Sequence, residues 1–411
     1  MLEIIRYEWK KIVNSTLVKL IFTGTGLFFL LNFVSGIGQT RATDYNGKQY
    51  SGISAIRVLK ETQPVFELSQ ENVDKIVGQY LEYLNSPETS SNNPEYYNLS
   101  EEMYYSFMEP NQFLFSMIYN GYDDPSAEKT LSDALKDNYR KDFRKAQIEN
   151  YEKFTGHLVE LGIITEQQAQ YWNKKSGKIN GSTFGYCGGW REILYMSDWF
   201  LLIMIIVCIC VAPVFSGEYQ SKCDSLFLCM KYGRSKLVTA KIVATVSFTT
   251  AAYWAFVIVY SALCLFVYGG EGADLPVQLQ NPTTTIGYDM TMAQATLILM
   301  LFGYILTLGM TGITLLFSAL LKNPFHVIII AFLLIVVPVF AQALRLGYTF
   351  RHILYLLPSS VTFFDYSSFH AYSIGKNVLS WPSASMIVNM AGAVVFSLLA
   401  MLIFKRHEVN K

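Results

Sequence analysis

The chain has 411 residues, of which 52% are hydrophobic and 15% aromatic but only 16% charged, and its 32 Lys and Arg are balanced by 32 Asp and Glu. This is too apolar for a soluble domain and too evenly charged for a nucleic-acid binder, so the expected partner is a lipid bilayer. Five histidines without metal-ligand spacing and the lack of any CxxC pair exclude a zinc-type centre, and no metal ligand is assigned.

Residues 1–16 contain the run LEIIRYEWKKIVNS. Leu2, Ile5, Trp9, Ile12 and Val13 fall on one helical face, with Glu3, Arg6 and Lys10 on another. The pattern predicts an amphipathic cytoplasmic helix lying along the inner membrane interface. Residues 17–37 follow as a first transmembrane helix, and no signal-peptide cleavage pattern comes after it, so it reads as a retained anchor.

Residues 38–198 form a large, mainly helical extracytoplasmic domain. Its Asp and Glu outnumber its Lys and Arg, which suits a solvated surface. Ser69 opens a helix through Val73, Val77 and Tyr80. Asp124-Pro125 caps another that runs without interruption from Ser126 to Leu161, and Thr165 with Gln168 has capping-box form. Residues 85–98 are polar and turn-rich, hence a loop. Cys187 is the one external cysteine, so no disulfide is expected there.

Residues 199–404 carry transmembrane helices two to six, at 199–217, 242–268, 293–321, 324–344 and 384–404, each near the roughly 20 residues that a bilayer requires. Lys and Arg concentrate at the N-terminus, in residues 216–241 and in the tail 405–411, whereas residues 269–292 have none. Both termini are therefore expected to be cytoplasmic in a multi-pass plasma-membrane protein. The fold class is all-α with six spans.

On the fourth span Tyr304, Thr307, Thr311, Thr314 and Ser318 recur at steps of three and four, with Thr249, Tyr253 and Tyr260 as a companion stripe on the third. These are candidates for lining a transport pathway; the other reading is small residues that let helices pack closely. No ionisable residue lies deep in a span, which disfavours an ion-coupled carrier. No phosphate-binding loop, GxSxG elbow or HExxH helix occurs, so the chain is not expected to be an enzyme and any fuel must be burned by a partner.

Two connections stand out. Residues 216–241 are basic and amphipathic, with Glu218 just after the second span, Leu226, Phe227 and Met230 on an apolar side, and Arg234 and Lys241 leading into the third. Residues 345–382 are crowded with aromatics, among them Tyr355, Phe364, Tyr366, Tyr372 and Trp381, and are expected to re-enter toward the membrane and pack against the last span.

With its amphipathic leader, the chain resembles the membrane subunits of type-2 ATP-binding-cassette (ABC) exporters over nearly its whole length outside the large insert. The resemblance implies that residues 1–16 act as the connecting helix, that residues 216–241 contain the coupling helix, with Glu218, Leu226, Phe227, Met230, Arg234 and Lys241 engaging the motor, and that 345–382 hold two short external helices. Lys222 and Cys223 stand where the family has a glycine-threonine pair, and Tyr232-Gly233 where it has a proline. It further implies a permease forming half of the pathway, with a second permease copy or related chain and a pair of ABC ATPase subunits that bind ATP and magnesium, no cofactor being held by this chain. A hydrophobic or amphipathic cargo is expected: a peptide, a lipid-like molecule or a drug. The alternative is a membrane-anchored sensor or scaffold whose ectodomain binds a ligand such as a peptide antibiotic.

Overall fold

Six helices in the computed structural model are long and apolar enough to cross a membrane: Thr16–Gln39, Ser197–Gln220, Gly233–Tyr268, Met292–Leu320, Pro324–Ala341 and Trp381–Arg406, here termed spans 1 to 6. The structure describes residues 1–122, 129–176, 183–223, 230, 232–344 and 347–406. The six apolar runs expected from sequence are all present, within three residues of their expected ends except that span 3 starts at Gly233, ahead of the expected 242. The mostly helical architecture is compatible with a multi-pass membrane protein.

Span 4 is the centre of the bundle and packs against spans 2, 3, 5 and 6. It lies closest to span 6, because two glycines remove side chains at the crossing. A Cβ on Gly309 would come within 2.7 Å of Asn389 Oδ1, and one on Gly312 within 2.9 Å of Ala393 Cα. Small residues at such a crossing let backbones approach, which is how apolar helices gain packing energy where no hydrophobic drive separates them from lipid. Span 1 is peripheral, with only Val18 and Phe29 buried. The Phe29 ring wedges against Trp199 at 4.9 Å and Phe256 at 4.4 Å.

Span 2 is broken at Pro213, which starts a second helical segment, Pro213–Gln220, after Ser197–Val211. A proline removes one backbone donor and disturbs the helical ladder around it, and in an apolar bundle the freed groups need partners. Ser318 of span 4 supplies them. Its hydroxyl donates to Ala212 O at 2.6 Å and accepts from the Phe215 and Ser216 amides at 3.0 and 3.1 Å.

The insert between spans 1 and 2 is built from helices Ile53–Thr62, Gln70–Asn85, Glu109–Tyr122, Leu131–Asn138, Phe143–Glu160 and Glu166–Ser176. Ser69 caps the second of these, accepting from the Asn72 amide, and both halves of the Thr165–Gln168 capping box form. The single helix expected over 126–161 is instead two. Arg140 adopts a left-handed φ of 66°, and Asp142 caps the next segment by accepting from the Lys145 amide. The proposed Asp124-Pro125 cap lies outside the described residues. Tyr80, Phe115, Ile118 and Trp172 are fully or almost fully buried in the insert's core.

Three short antiparallel strand pairs among the described residues correct the all-α expectation: the hairpin 41–43 with 49–51, the long-range pair 66–67 with 183–184, and the hairpin 371–374 with 377–380. The second joins the insert's beginning to its end. The third lies just before span 6. The connection between spans 5 and 6 holds two short helices, as expected: the α-helix Tyr348–Leu356, packed on span 6, and the 3-10 helix Pro358–Phe363. Arg345 is not among the described residues.

The insert is bonded onto the loops at its end of the bundle. Trp172 Nε1 donates to Phe369 O at 2.8 Å, Gln168 Nε2 to Ala371 O at 2.6 Å and Gln167 Nε2 to Gly375 O at 3.0 Å. Tyr186 and Trp190 likewise donate to the carbonyls of Tyr268 and Gly270. Buried or shielded carbonyls in loops need such donors, so these contacts fix the insert's seat.

Candidate functional site: a buried ion network

The helix Leu2–Val13 packs against the start of span 3 rather than standing apart from the bundle. Its packed face contains Ile5, Trp9 and Ile12, and Glu8 falls between them, only 5% exposed. Residues three and four apart on a helix share a face, so Glu8 is carried inward with its apolar neighbours.

Glu8 meets Lys241 of span 3, which is completely buried. Lys241 Nζ lies 2.8 Å from Glu8 Oε2, and the same ammonium also pairs with Glu218 Oε1 at the end of span 2. Lys11, half exposed, adds a second cation 3.2 Å from Glu218 Oε1. Glu218 is 2% exposed, and its other oxygen, Oε2, has no partner among the described residues.

Two carboxylates and two ammonium groups give this cluster no formal net charge. Desolvating any one of the buried three alone would cost several kcal/mol, so Glu8, Glu218 and Lys241 must be withdrawn from water as a set, with half-exposed Lys11 at the rim. The consequence is mechanical: the leading helix, the end of span 2 and the third turn of span 3 are tied at one point. Among the described residues no group of three or more His, Cys, Asp and Glu is placed to hold a metal ion.

The expected coupling residues divide between two places. Glu218 and Lys241 meet in the network. Arg234 stays exposed and donates to Lys405 O at 3.3 Å, at the last turn of span 6, where a cation complements the helix dipole. Met230 is 52% exposed. Leu226 and Phe227 lie outside the described residues.

The polar stripe on span 4 is buried between helices. Thr307, Thr311 and Thr314 each donate to a carbonyl one turn back, at 2.8 Å. Thr311 also meets Thr249 at 3.3 Å and Thr314 meets Cys208 Sγ at 3.3 Å, while Tyr304 bonds Thr250 at 2.8 Å and Tyr253 donates to Met300 O at 2.8 Å. With Ser318 bound at the span 2 break, these candidates for pathway lining form a helix-packing seam in this conformation. Tyr260 differs: with Phe29, Phe33 and Phe256 it lines an apolar cavity of about 360 Å³ among spans 1, 2 and 3.

Sequence reasoning missed Glu8 and Lys11, and it overlooked that ionisable groups are buried at span ends. One signal was available, an acid on the apolar face of an amphipathic helix. Its partner, 233 residues away, is set only by tertiary packing. Compared with family models, curated proteins and solved structures, the chain matches none.

Proposed function

We propose that this chain is the permease subunit of an ATP-driven exporter of the ABC type, with both termini cytoplasmic in the plasma membrane and residues 216–241 forming the contact with a separate ATPase. The observation that carries the reading is the ion network. Glu218 and Lys241 stand at the two ends of that connection and are joined to each other and to the leading helix. A push on the loop therefore reaches spans 2 and 3 and the leading helix together, as transmission from a motor requires. Ser318 passes the displacement on to span 4 through the broken span 2. A second copy or related permease completes the pathway across a two-fold axis, and a hydrophobic or amphipathic cargo fits the aromatic, uncharged spans.

The test uses Met230, whose exposure makes it replaceable without disturbing the bundle. In a Cys223→Ser, Cys229→Ser background, Met230→Cys carrying a photoactivatable cross-linker is expected to capture an ATPase subunit in native membranes. Labelling of that cysteine from the extracellular side, or capture with no nucleotide-binding protein among the products, refutes the assignment.

A sensor or scaffold is the second reading, favoured by the bonding of the insert onto the hairpin before span 6. It predicts that gentle purification yields a signalling partner in place of an ATPase.

A further inference from the structure

A small polar pocket lies where the insert meets the loop between spans 3 and 4. It has a volume of about 70 Å³, with Arg144, Tyr151 and Ser176 on the insert side and Gln278, Thr284 and Ile286 on the loop side. Three features of its lining are unbalanced. Tyr151 is 6% exposed, yet its hydroxyl has no hydrogen-bond partner among the described residues. Burial pushes the phenol well above its ordinary range, so it remains a neutral O–H donor.

Gln278 presents the complementary gap. Its Nε2 is held by the carbonyls of Ile286 and Tyr288 at 3.2 and 2.9 Å, which fixes the amide's orientation and leaves Oε1 buried as an unused acceptor. Arg144 is the third. Its guanidinium bonds the Gln147 amide at 2.7 Å but forms no ion pair among the described residues, and no carboxylate lines the pocket. Leaving a buried donor and acceptor unmade is costly, and native proteins keep few such groups without a purpose.

The geometry points to this pocket as a binding site for the C-terminal carboxylate of a peptide: the carboxylate accepts from Tyr151 and Arg144 while the terminal amide N–H donates to Gln278 Oε1. Cationic and hydroxyl donors call for an anion, and an adjacent fixed acceptor calls for an N–H bonded close to it. A peptide terminus has both. The volume selects an end group, since whole drug-sized ligands occupy clefts of roughly 300 Å³ or more, and capture of a terminal carboxylate is an established recognition mode. Gly287 lets the Tyr151 side chain pack closely here, because a Cβ there would lie 2.1 Å from its hydroxyl. A ligand seated here would bridge the insert and the span 3–4 loop. The inference does not depend on the exporter reading.

The test is calorimetric titration of the full chain in nanodiscs with N-acetyl-alanyl-alanine and with its C-terminal amide. The acid is expected to bind saturably below about 10 mM, with the amide about tenfold weaker or more. Tyr151→Phe and Arg144→Gln should each weaken the acid about tenfold, and Arg144→Gln should abolish the preference for acid over amide. Without ligand, Tyr151→Phe should unfold at the same temperature as the parent or higher, because it removes an unmade bond. Non-saturable binding of the acid, equal binding of acid and amide, unchanged affinity in both variants, or a lower unfolding temperature for Tyr151→Phe would each overturn the assignment.

Discussion

Replacing Lys241 by Met keeps the length of the side chain and its apolar stem but deletes the ammonium that two buried carboxylates share. The cluster would pass from zero formal charge to minus one, with Glu8 losing its paired cation and Glu218 retaining half-exposed Lys11. Removing one partner of a buried pair costs about 3–5 kcal/mol, and complete burial of Lys241 places this site at the severe end. At about 1.4 kcal/mol per tenfold, the folded population should fall relative to the unfolded by between about a hundredfold and several thousandfold. The triple variant Glu8→Gln, Glu218→Gln, Lys241→Met removes the uncompensated charge along with the pair and should recover most of the loss, since apolar or neutral replacements of whole buried ion clusters are often near neutral. Denaturant titration in mixed micelles, with wild type, single and triple variants side by side, measures both quantities. A Lys241→Met variant within about 0.5 kcal/mol of wild type, or a triple variant as unstable as the single, would show that these charges are solvated and that the three helix ends are not tied there.

The seat of Ser318 can be tested by Ser318→Ala. The substitution strips the Ala212 carbonyl and the Phe215 and Ser216 amides of a shared partner and should cost about 1–3 kcal/mol in the same titration. Gly312→Leu should separate spans 4 and 6 and lower the thermal midpoint sharply, whereas Gly24→Leu on span 1, where nothing lies within 4 Å, should not. His370 gives a pH prediction. Burial, then His352 and Arg351, lower its pKa to about 4, so the folded form holds it neutral while the unfolded chain protonates it near its ordinary 6.5. Its contribution is complete above pH 6.5 and is lost as pH falls from 6.5 toward 4, by up to about 3 kcal/mol. His370→Phe should flatten that part of the stability profile. For the insert's seat, Trp172→Phe should cost about 1 kcal/mol and accelerate amide exchange at the 371–380 hairpin, read by mass spectrometry.

How much of this was readable beforehand differs by length scale. The spans were legible because about 20 consecutive apolar residues leave few alternatives, and the Ser69 and Thr165 caps because their signals are local. The break at Arg140 was not, since no Gly or Pro marks it and the left-handed φ falls on an ordinary residue. The strand pairs were too short for alternation to register, and 66–67 pairs with 183–184 across more than a hundred residues. Glu218 and Lys241 were singled out by resemblance. That they touch, and that Glu8 joins them, follows from packing that no local pattern encodes.

Span 6 has an unusual set of attachments. At one end it continues directly from the hairpin on which Gln168 and Trp172 are anchored, its middle is wedged along the glycines of span 4, and its final turn receives Arg234. Twenty-six helical residues at about 1.5 Å each make a rod of about 39 Å. Because neither end is free, tilting or sliding this rod at the insert must displace the Arg234 connection at the far side, and the reverse. Events at the two ends of the bundle thus share one strut.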